Sequence, residues 1–195
     1  YSEESSEAVI VLETSRYPSR EVVEYISSKT GVKPCDLYIV VASTNSVAGS
    51  VQVSARIVET GIHKLHTLGF NIKSILYGYG VAPIAPLHPD QLVMLGRTND
   101  MILYGGEVFY IVEYSSDEEL LEYIEKTPST SSKDYGRSLA EKVRETGIEF
   151  LYKVDPGIFA PAVVEVNNIV TGSVFRKGYV NIAVSYTHLR AHETE

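Results

Sequence analysis

Arg56 and Glu59 are the side chains whose types and spacing in this sequence could do chemistry most directly. Residues three apart lie on the same side of an α-helix, so a guanidinium and a carboxylate at this spacing can meet. On an open surface they form an ion pair worth only about 0.2–0.5 kcal/mol. In a cleft, the arginine would keep the carboxylate ionised, and the carboxylate could take a proton from water. The spacing alone favours the surface pair, and both interpretations stay open at this point.

A polar loop precedes the helix that carries this pair. Ser43–Ser50 contains small and polar residues and follows Leu37–Ala42, an apolar run typical of a buried strand. Open α/β sheets bind ligands at the carboxyl ends of parallel strands, and free N–H groups at a helix start favour anions. The alternative is a plain N-cap in a Ser/Asn turn. The substrate-binding residues predicted here are Thr44, Ser50 and Gln52.

Other polar side chains are further candidates for the substrate pocket. His63 lies one turn after Glu59 and could tune it, although an ordinary surface histidine fits equally well. Three more residues could line the pocket or simply form a polar helix face, namely Arg97, Asn99 and Asp100.

The remaining metal-binding and nucleophilic side chains predict no further site. His188 and His192 stand four apart near the end of the chain, where a solvated tail is favoured over a metal site that lacks supporting ligands. Cys35 has no second cysteine or nearby histidine, so a packed or idle thiol is expected. We therefore predict no metal site.

The elements that must position these residues begin with a βαβ unit. Ala8–Glu13 and Leu37–Ala42 have the pattern of strands, and between them a helix begins after Ser19 and stops at Gly31. Such a unit is expected to be parallel and right-handed. The next helix, ending near Gly69, shows one apolar stripe at helical spacing: Val51, Ala55, Val58, Ile62 and Leu65.

The rest of the chain alternates strands and helices. The fold class predicted is α/β, with a layered mixed sheet and flanking helices. The expected elements are a strand at 72–77, an extended segment at 78–89, a helix at 90–104, a strand at 108–113, helices at 117–126 and 138–146, and two final strands at 162–167 and 173–176.

Composition excludes several classes of protein. The 195 residues carry 17 basic and 25 acidic side chains, a net charge of -8, with no basic cluster, so a nucleic-acid partner is not expected. No apolar run approaches the roughly 18 residues of a membrane-spanning helix. The single cysteine favours a reducing cytoplasm.

Several sequence blocks together resemble the methenyltetrahydromethanopterin cyclohydrolase family. They occur in the family's order and extend over nearly the whole chain from Ala8 to about Ala183. The blocks are Gly49-Ser-Val-Gln-Val-Ser-Ala-Arg-Ile-Val-Glu-Thr-Gly-Ile-His-Lys64, Gly80-Val-Ala-Pro-Ile-Ala-Pro-Leu-His-Pro89, Gly96-Arg-Thr-Asn-Asp100, Tyr104-Gly-Gly106, Ser132-Lys-Asp-Tyr-Gly136 and Asp155-Pro-Gly-Ile-Phe-Ala-Pro161.

The resemblance implies an enzyme of one-carbon metabolism in methanogenic archaea and some methylotrophic bacteria. Such an enzyme interconverts methenyl- and formyl-tetrahydromethanopterin by adding or removing water. It works without metal or prosthetic group, the pterin being the substrate, and is expected to form a cytoplasmic homotrimer. The catalytic residues of the family correspond to Arg56 and Glu59, with Glu59 as the general base.

The resemblance also raises expectations about the extent of the chain. Family members have an N-terminal region before the segment that matches Ala8, and it supplies one side of the cleft. Residues 1–183 are therefore expected to be the C-terminal portion of a longer enzyme, and 184–195 a non-native or disordered tail. The alternatives to an active cyclohydrolase are an inactive fragment, or a non-catalytic anion-binding or pterin-binding assembly module.

Overall fold

The structure, a computed structural model, describes residues 3–147, 149 and 153–184. The histidines at 188 and 192, and all of the expected tail except Val184, lie outside the described residues. The division of the chain at 183 therefore stays a prediction.

The described chain begins with the predicted βαβ unit. Strand β1 (Ala8–Glu13) is followed by helix α1 (Arg20–Thr30) and strand β2 (Leu37–Ala42). The strands pair in parallel, with Glu13 opposite Ala42 at their carboxyl ends. Helix α1 ends at Gly31, whose φ of 74° is the left-handed conformation that favours glycine at a helix end. The sequence prediction is confirmed for all three elements.

The helix predicted from a single apolar stripe is two helices, and that prediction is wrong. Helix α2 (Val47–Ser54) ends one turn before helix α3 (Ile57–Thr67) begins. The Arg56 N–H bonds to the Val53 carbonyl, three residues back, so the α-helical pattern tightens to a 3₁₀ turn there. Val51, the first residue of the proposed buried stripe, is consequently 40% exposed.

The other strands form a separate mixed sheet in the order β3 (Ile75–Val81), β4 (Glu107–Val112), β5 (Val163–Asn168) and β6 (Val174–Gly178). The β4–β5 pair is parallel and the two outer pairs are antiparallel. Helices α4 (Gln91–Gly105), α5 (Asp117–Lys126) and α6 (Leu139–Thr146) complete the layers. The α/β class with a mixed sheet and flanking helices is confirmed.

Strand β3 begins later than the sequence pattern predicts. Residues 72–74 form a 3₁₀ turn, in which the Asn71 side chain accepts a hydrogen bond from the Lys73 N–H. Gly78 and Gly80, predicted to lie in an extended segment, belong to the strand. A Cβ at residue 80 would come within 2.8 Å of the Ile57 side chain, so the glycine allows α3 to pack closely on β3.

The main core lies between the second sheet and the helices, and it fixes the position of α3. Tyr110 on β4 is fully buried, and its hydroxyl donates to the Val58 carbonyl at 2.7 Å. A side chain at Gly61 would overlap that hydroxyl. Burial raises the pKa of Tyr110, so the hydroxyl stays a hydrogen-bond donor. Helix α3 is therefore anchored to the sheet within one turn of Glu59.

Candidate active site

Arg56 and Glu59 occupy the start of α3, at the break between the two helices. The Arg56 Nε and Nη2 donate to the two carboxylate oxygens of Glu59 at 2.9 and 3.0 Å, a bidentate pair. Their side chains are 57% and 61% exposed. The hydrogen bond from Arg56 lowers the pKa of Glu59, with smaller contributions from the charges of Arg56 and His63. Glu59 is therefore held as an ionised carboxylate that water can reach.

The pair stands at the rim of a cleft of about 300 Å³. Half of its lining residues are polar or charged (Arg56, Glu59, Thr60, His63 and Asn99) and half are apolar (Val53, Ile102, Leu103, Pro156 and Phe159). An ionised carboxylate beside an apolar wall can accept a proton from a bound water while a flat ring packs on the wall. The pair is thus exposed, as in the surface interpretation, and it also lines a cleft, as in the other; its role in proton transfer stays a prediction.

The far wall of this cleft is held in place by a buried lysine. Lys64, only 7% exposed, donates from Nζ to the Gly157 carbonyl at 2.7 Å. Asp155 accepts hydrogen bonds from the Ser132 hydroxyl and the Gly157 N–H at 2.7 and 2.9 Å. The hydrogen bonds from Ser132 and Gly157, with the charge of Lys64, lower the pKa of Asp155. These bonds join two sequence blocks, 132–136 and 155–161, to the helix that carries Glu59.

A second cleft, of about 320 Å³, lies on the other side of Arg56. Glu13, the last residue of β1, lies in it together with Gln52. The Thr44 hydroxyl donates to Glu13 Oε1 at 2.5 Å, and the Gln52 amide donates to Oε2 at 3.4 Å. The pKa of Arg56 is raised chiefly by its hydrogen bond to Glu59, and the charge of Glu13 adds to that effect. The two clefts therefore share Arg56, and each is also lined by a carboxylate.

Three of the predicted substrate-binding residues line these clefts, and a fourth contacts a residue that lines one of them. His63 and Asn99 line the first cleft, and Gln52 lines the second. Thr44 is the hydrogen-bond donor to Glu13. Their roles in binding substrate stay predictions, but the structure brings all four to the surroundings of Arg56.

Ser50 and Arg97 lie elsewhere, inside the protein. The Ser50 hydroxyl is fully buried and donates to the Ala85 carbonyl at 2.8 Å. Arg97 is 4% exposed and donates to the Pro86 carbonyl at 3.5 Å. Burial lowers the pKa of Arg97, aided by the charge of Arg144. Both side chains support the 83–89 segment against α2 and α4, and their substrate-binding roles stay predictions.

Asp100 is fully buried on α4, at the start of α6. Its carboxylate accepts hydrogen bonds from the Ser138 hydroxyl at 2.6 Å and from the backbone N–H groups of Leu139 and Ala140 at 2.7 and 3.1 Å. A carboxylate at a helix N-terminus satisfies N–H groups that have no partner within the helix. Asp100 thus performs a structural task, and a direct role in substrate binding stays a prediction.

Glu13 is a charged residue lining a cleft that the sequence analysis did not identify. The rule that places ligands at the carboxyl ends of parallel strands was applied to β2 and the loop after it, but not to β1. Since β1 and β2 pair in register, with Glu13 opposite Ala42, the same rule places Glu13 beside Thr44. The available signal was a charged residue at the end of an otherwise apolar strand.

The described part of the chain offers little to other classes of site. Residues 3–147, 149 and 153–184 contain no group of three or more His, Cys, Asp or Glu side chains placed to hold a metal ion. None of the helices described is long and apolar enough to cross a membrane. Cys35 is a free, exposed thiol.

Comparison with known proteins gives consistent matches along the chain. A family model described as Cyclohydrolase (MCH) matches residues 1–187. Proteins named methenyltetrahydromethanopterin cyclohydrolase are similar to the chain: that of Methanococcoides burtonii is 45% identical over 181 residues, that of Methanosarcina barkeri 43% over 179 residues, and that of Methanocaldococcus jannaschii 42% over 185 residues.

These alignments cover most of this chain but only part of each relative. They include 93%, 91% and 94% of the chain, in the same order, against 56%, 56% and 57% of the relatives. The chain therefore spans little more than half the length of the relatives that it matches.

Proposed function

Because the chain belongs to the cyclohydrolase (MCH) family, we propose that it interconverts 5,10-methenyl-tetrahydromethanopterin and 5-formyl-tetrahydromethanopterin by adding or removing water. The relatives named above carry the name of that reaction's enzyme. The observation that carries the proposal is the bidentate Arg56–Glu59 pair at the rim of a cleft with an apolar wall.

The chemistry of the proposed reaction needs a base next to a cationic carbon. The methenyl bridge is an amidinium cation, so its carbon is electrophilic and is attracted to an ionised carboxylate. In the first step, the oxygen of water bonds to that carbon while Glu59 accepts a proton from the water. The product of this step is a neutral carbinol that retains both carbon–nitrogen bonds.

The second step opens the ring. The carbinol hydroxyl loses its proton as the carbonyl forms, the bond from carbon to N10 breaks, and N10 takes up a proton. The formyl group stays on N5, and one proton is released overall, because a cationic substrate and water give a neutral product. The reverse direction removes water by the same steps. Arg56 keeps Glu59 ionised and oriented throughout.

The proposal extends to cofactor, location and assembly. Hydration of an amidinium requires only proton transfer, which supports a reaction without metal or prosthetic group. The net charge of -8 supports the absence of a nucleic-acid partner. A cytoplasmic location is supported by the single cysteine and by the family resemblance, and a homotrimer by the resemblance alone.

The decisive experiment is to mix the purified chain with methenyl-tetrahydromethanopterin and follow the loss of methenyl absorbance. The Methanococcoides burtonii relative serves as the positive control. Turnover by the chain that disappears in Glu59→Gln, while substrate binding persists, supports the proposal. Binding without turnover in the unchanged chain supports the inactive-fragment alternative instead. If the chain shows neither turnover nor binding, the proposed activity is excluded for this chain.

A further inference from the structure

The buried side of helix α3 holds the 155–161 segment in two places. Gly61 and Lys64 are three residues apart and buried, so they lie on the same side of the helix. The Lys64 ammonium donates to the Gly157 carbonyl at 2.7 Å. A Cβ at Gly61 would lie 3.2 Å from the Pro161 ring, so that ring packs directly on the helix. The segment is therefore attached to α3 near both of its ends.

This segment contributes apolar side chains to the first cleft. Pro156 and Phe159 line the cleft together with Glu59. Pro156 precedes Gly157 directly and Phe159 follows it by two residues, so a shift of the backbone at Gly157 would move both side chains. Lys64 and Glu59 belong to the same helix. The hydrogen bond from Lys64 thus fixes the apolar wall relative to the proposed base.

The surroundings of Lys64 are arranged to admit its ammonium group. A Cβ at residue 157 would lie 2.8 Å from Nζ, so the glycine lets the ammonium reach the backbone. Burial lowers the pKa of Lys64, and the charge of Asp155 opposes that effect. An apolar side chain of similar volume in place of a buried charge is often neutral for stability. Stability alone therefore does not account for a lysine at this position, whereas a geometric role does.

We propose that Lys64 is a positioning residue for the substrate: its hydrogen bond to Gly157 holds the Pro156–Phe159 wall in place and so sets the affinity of the first cleft for flat rings. This inference rests on the proposed function for the choice of a pterin as the ligand. The wall packs on rings and takes no part in proton transfer, so it should bind the substrate and the transition state equally. Lys64 should therefore control KM and leave kcat almost unchanged.

The first test is Lys64→Met, which keeps the length of the side chain and removes the ammonium. The loss of methenyl absorbance at several substrate concentrations gives KM and kcat. KM should rise about tenfold, because a displaced wall loses part of its apolar contact with the rings, and kcat should stay within about threefold. A merely structural role would reduce the amount of folded enzyme, and so kcat, without changing KM. If the chain binds without turnover, the Kd of the same compound replaces KM.

The second test breaks the same hydrogen bond from the other side. Gly157 does not have a positive φ, so alanine fits its backbone, but the new methyl group would push Nζ away from the carbonyl. Gly157→Ala should therefore raise KM as Lys64→Met does. A chain with both substitutions should show no further rise, because each one removes the same contact. Effects that multiply in the double variant would refute the shared hydrogen bond as their cause.

A third measurement does not depend on activity. The chain contains five phenylalanines, so labelling with 4-fluorophenylalanine gives a fluorine NMR spectrum in which Phe159→Leu identifies the signal of Phe159. Lys64→Met and Gly157→Ala should each shift that signal. The control is Lys126→Met on α5, which removes an exposed lysine outside both clefts and should leave the signal and KM unchanged.

The outcomes separate this inference from the proposed function. An unchanged KM or an unchanged Phe159 signal in Lys64→Met would overturn the inference. If Lys64→Met does not fold, Gly157→Ala decides by the same two measurements. A chain that neither hydrates nor binds the pterin, but in which both substitutions shift the Phe159 signal, would refute only the proposed function and leave Lys64 as the residue that positions the wall.

Discussion

Replacing Glu59 by glutamine should show that this carboxylate contributes much to the hydration rate and little to the free energy of unfolding. Glu59 is 61% exposed and makes an i,i+3 ion pair, so water screens the interaction with Arg56. Exposed pairs of this kind stabilise a helix by about 0.2–0.5 kcal/mol. A carboxylate in the first turn of a helix adds about 0.3–1 kcal/mol through the helix dipole. The free energy of unfolding should therefore fall by no more than about 1.5 kcal/mol, the sum of the two upper limits.

The expected effect on catalysis is much larger. A positioned general base accelerates a reaction by about 10²–10⁴-fold, which corresponds to about 2.7–5.4 kcal/mol in the activation free energy. Glutamine has nearly the shape of glutamate and retains an acceptor for Arg56, but it cannot take a proton from water. Hydration of the methenyl substrate should fall by at least about a hundredfold, while the chain stays folded.

The pH dependence of stability supplies an independent check. The hydrogen bond from Arg56 lowers the pKa of Glu59 in the folded state. A carboxylate with a lowered folded pKa contributes stability that is fully present above its unfolded pKa and is lost as the pH falls through the folded pKa. Glu59→Gln should remove this contribution, so the difference in unfolding free energy from the unchanged chain should shrink in acid.

The matched control is Glu24→Gln on α1. Arg20 Nε donates to Glu24 at 2.8 Å in an exposed i,i+4 pair, so the lost ion pair is comparable but lies outside both clefts. Urea unfolding and the loss of methenyl absorbance would be measured on both variants. The reasoning is refuted if Glu59→Gln retains more than about a tenth of the activity, or if it loses more than about 3 kcal/mol of stability, because its inactivity would then be explained by unfolding.

Three more substitutions test the geometry around the clefts. In Arg56→Lys, a single ammonium replaces the bidentate fork, so the pKa of Glu59 should rise towards its ordinary value and the acid limb of the hydration rate should move to higher pH. In Asp100→Asn, one acceptor oxygen replaces two at the start of α6, and urea unfolding should show a loss of about 1–3 kcal/mol. In Gly96→Ala, the new methyl group would overlap the backbone of Ala140 and separate α4 from α6, at a similar cost of about 1–3 kcal/mol.

Each of these expectations has a clear contrary result. An unchanged acid limb in Arg56→Lys would mean that the fork does not control the ionisation of Glu59. If Asp100→Asn stays within about 0.5 kcal/mol of the stability of the unchanged chain, the structural role given to Asp100 is contradicted. The same result for Gly96→Ala would contradict the close packing of α4 on α6 at Gly96.

Much of the fold could be predicted because its elements carry local signals. Helix α5 occupies the predicted residues 117–126, and the side chain of Ser116 caps it by accepting from the Glu119 N–H. Strands β1 and β2 match their predicted bounds because each is a short apolar run between polar residues. Such signals act within a few residues, so no knowledge of the rest of the structure is needed to interpret them.

The break between α2 and α3 could not be predicted in that way. The apolar stripe fits one continuous helix, but the Ser50 and Ser54 hydroxyls bond to the carbonyls of Ala85 and Pro83. These tertiary contacts tie α2 to the 83–85 segment, whereas Tyr110 ties α3 to the sheet. Two different anchors hold the two helices, and the regular helix is interrupted between them at residues 55–56. Periodicity describes each helix on its own but not the tertiary contacts that separate them.

The same limit explains why one half of the candidate site was predicted and the other was not. Arg56 and Glu59 are three residues apart, so local spacing brings them together before any tertiary structure is known. Glu13 meets Thr44 and Gln52 across 31 and 39 residues of chain, and only the register of β1 against β2 places them together. Local spacing therefore predicts the ion pair at the first cleft, whereas the pairing of distant segments decides which residues meet at the second.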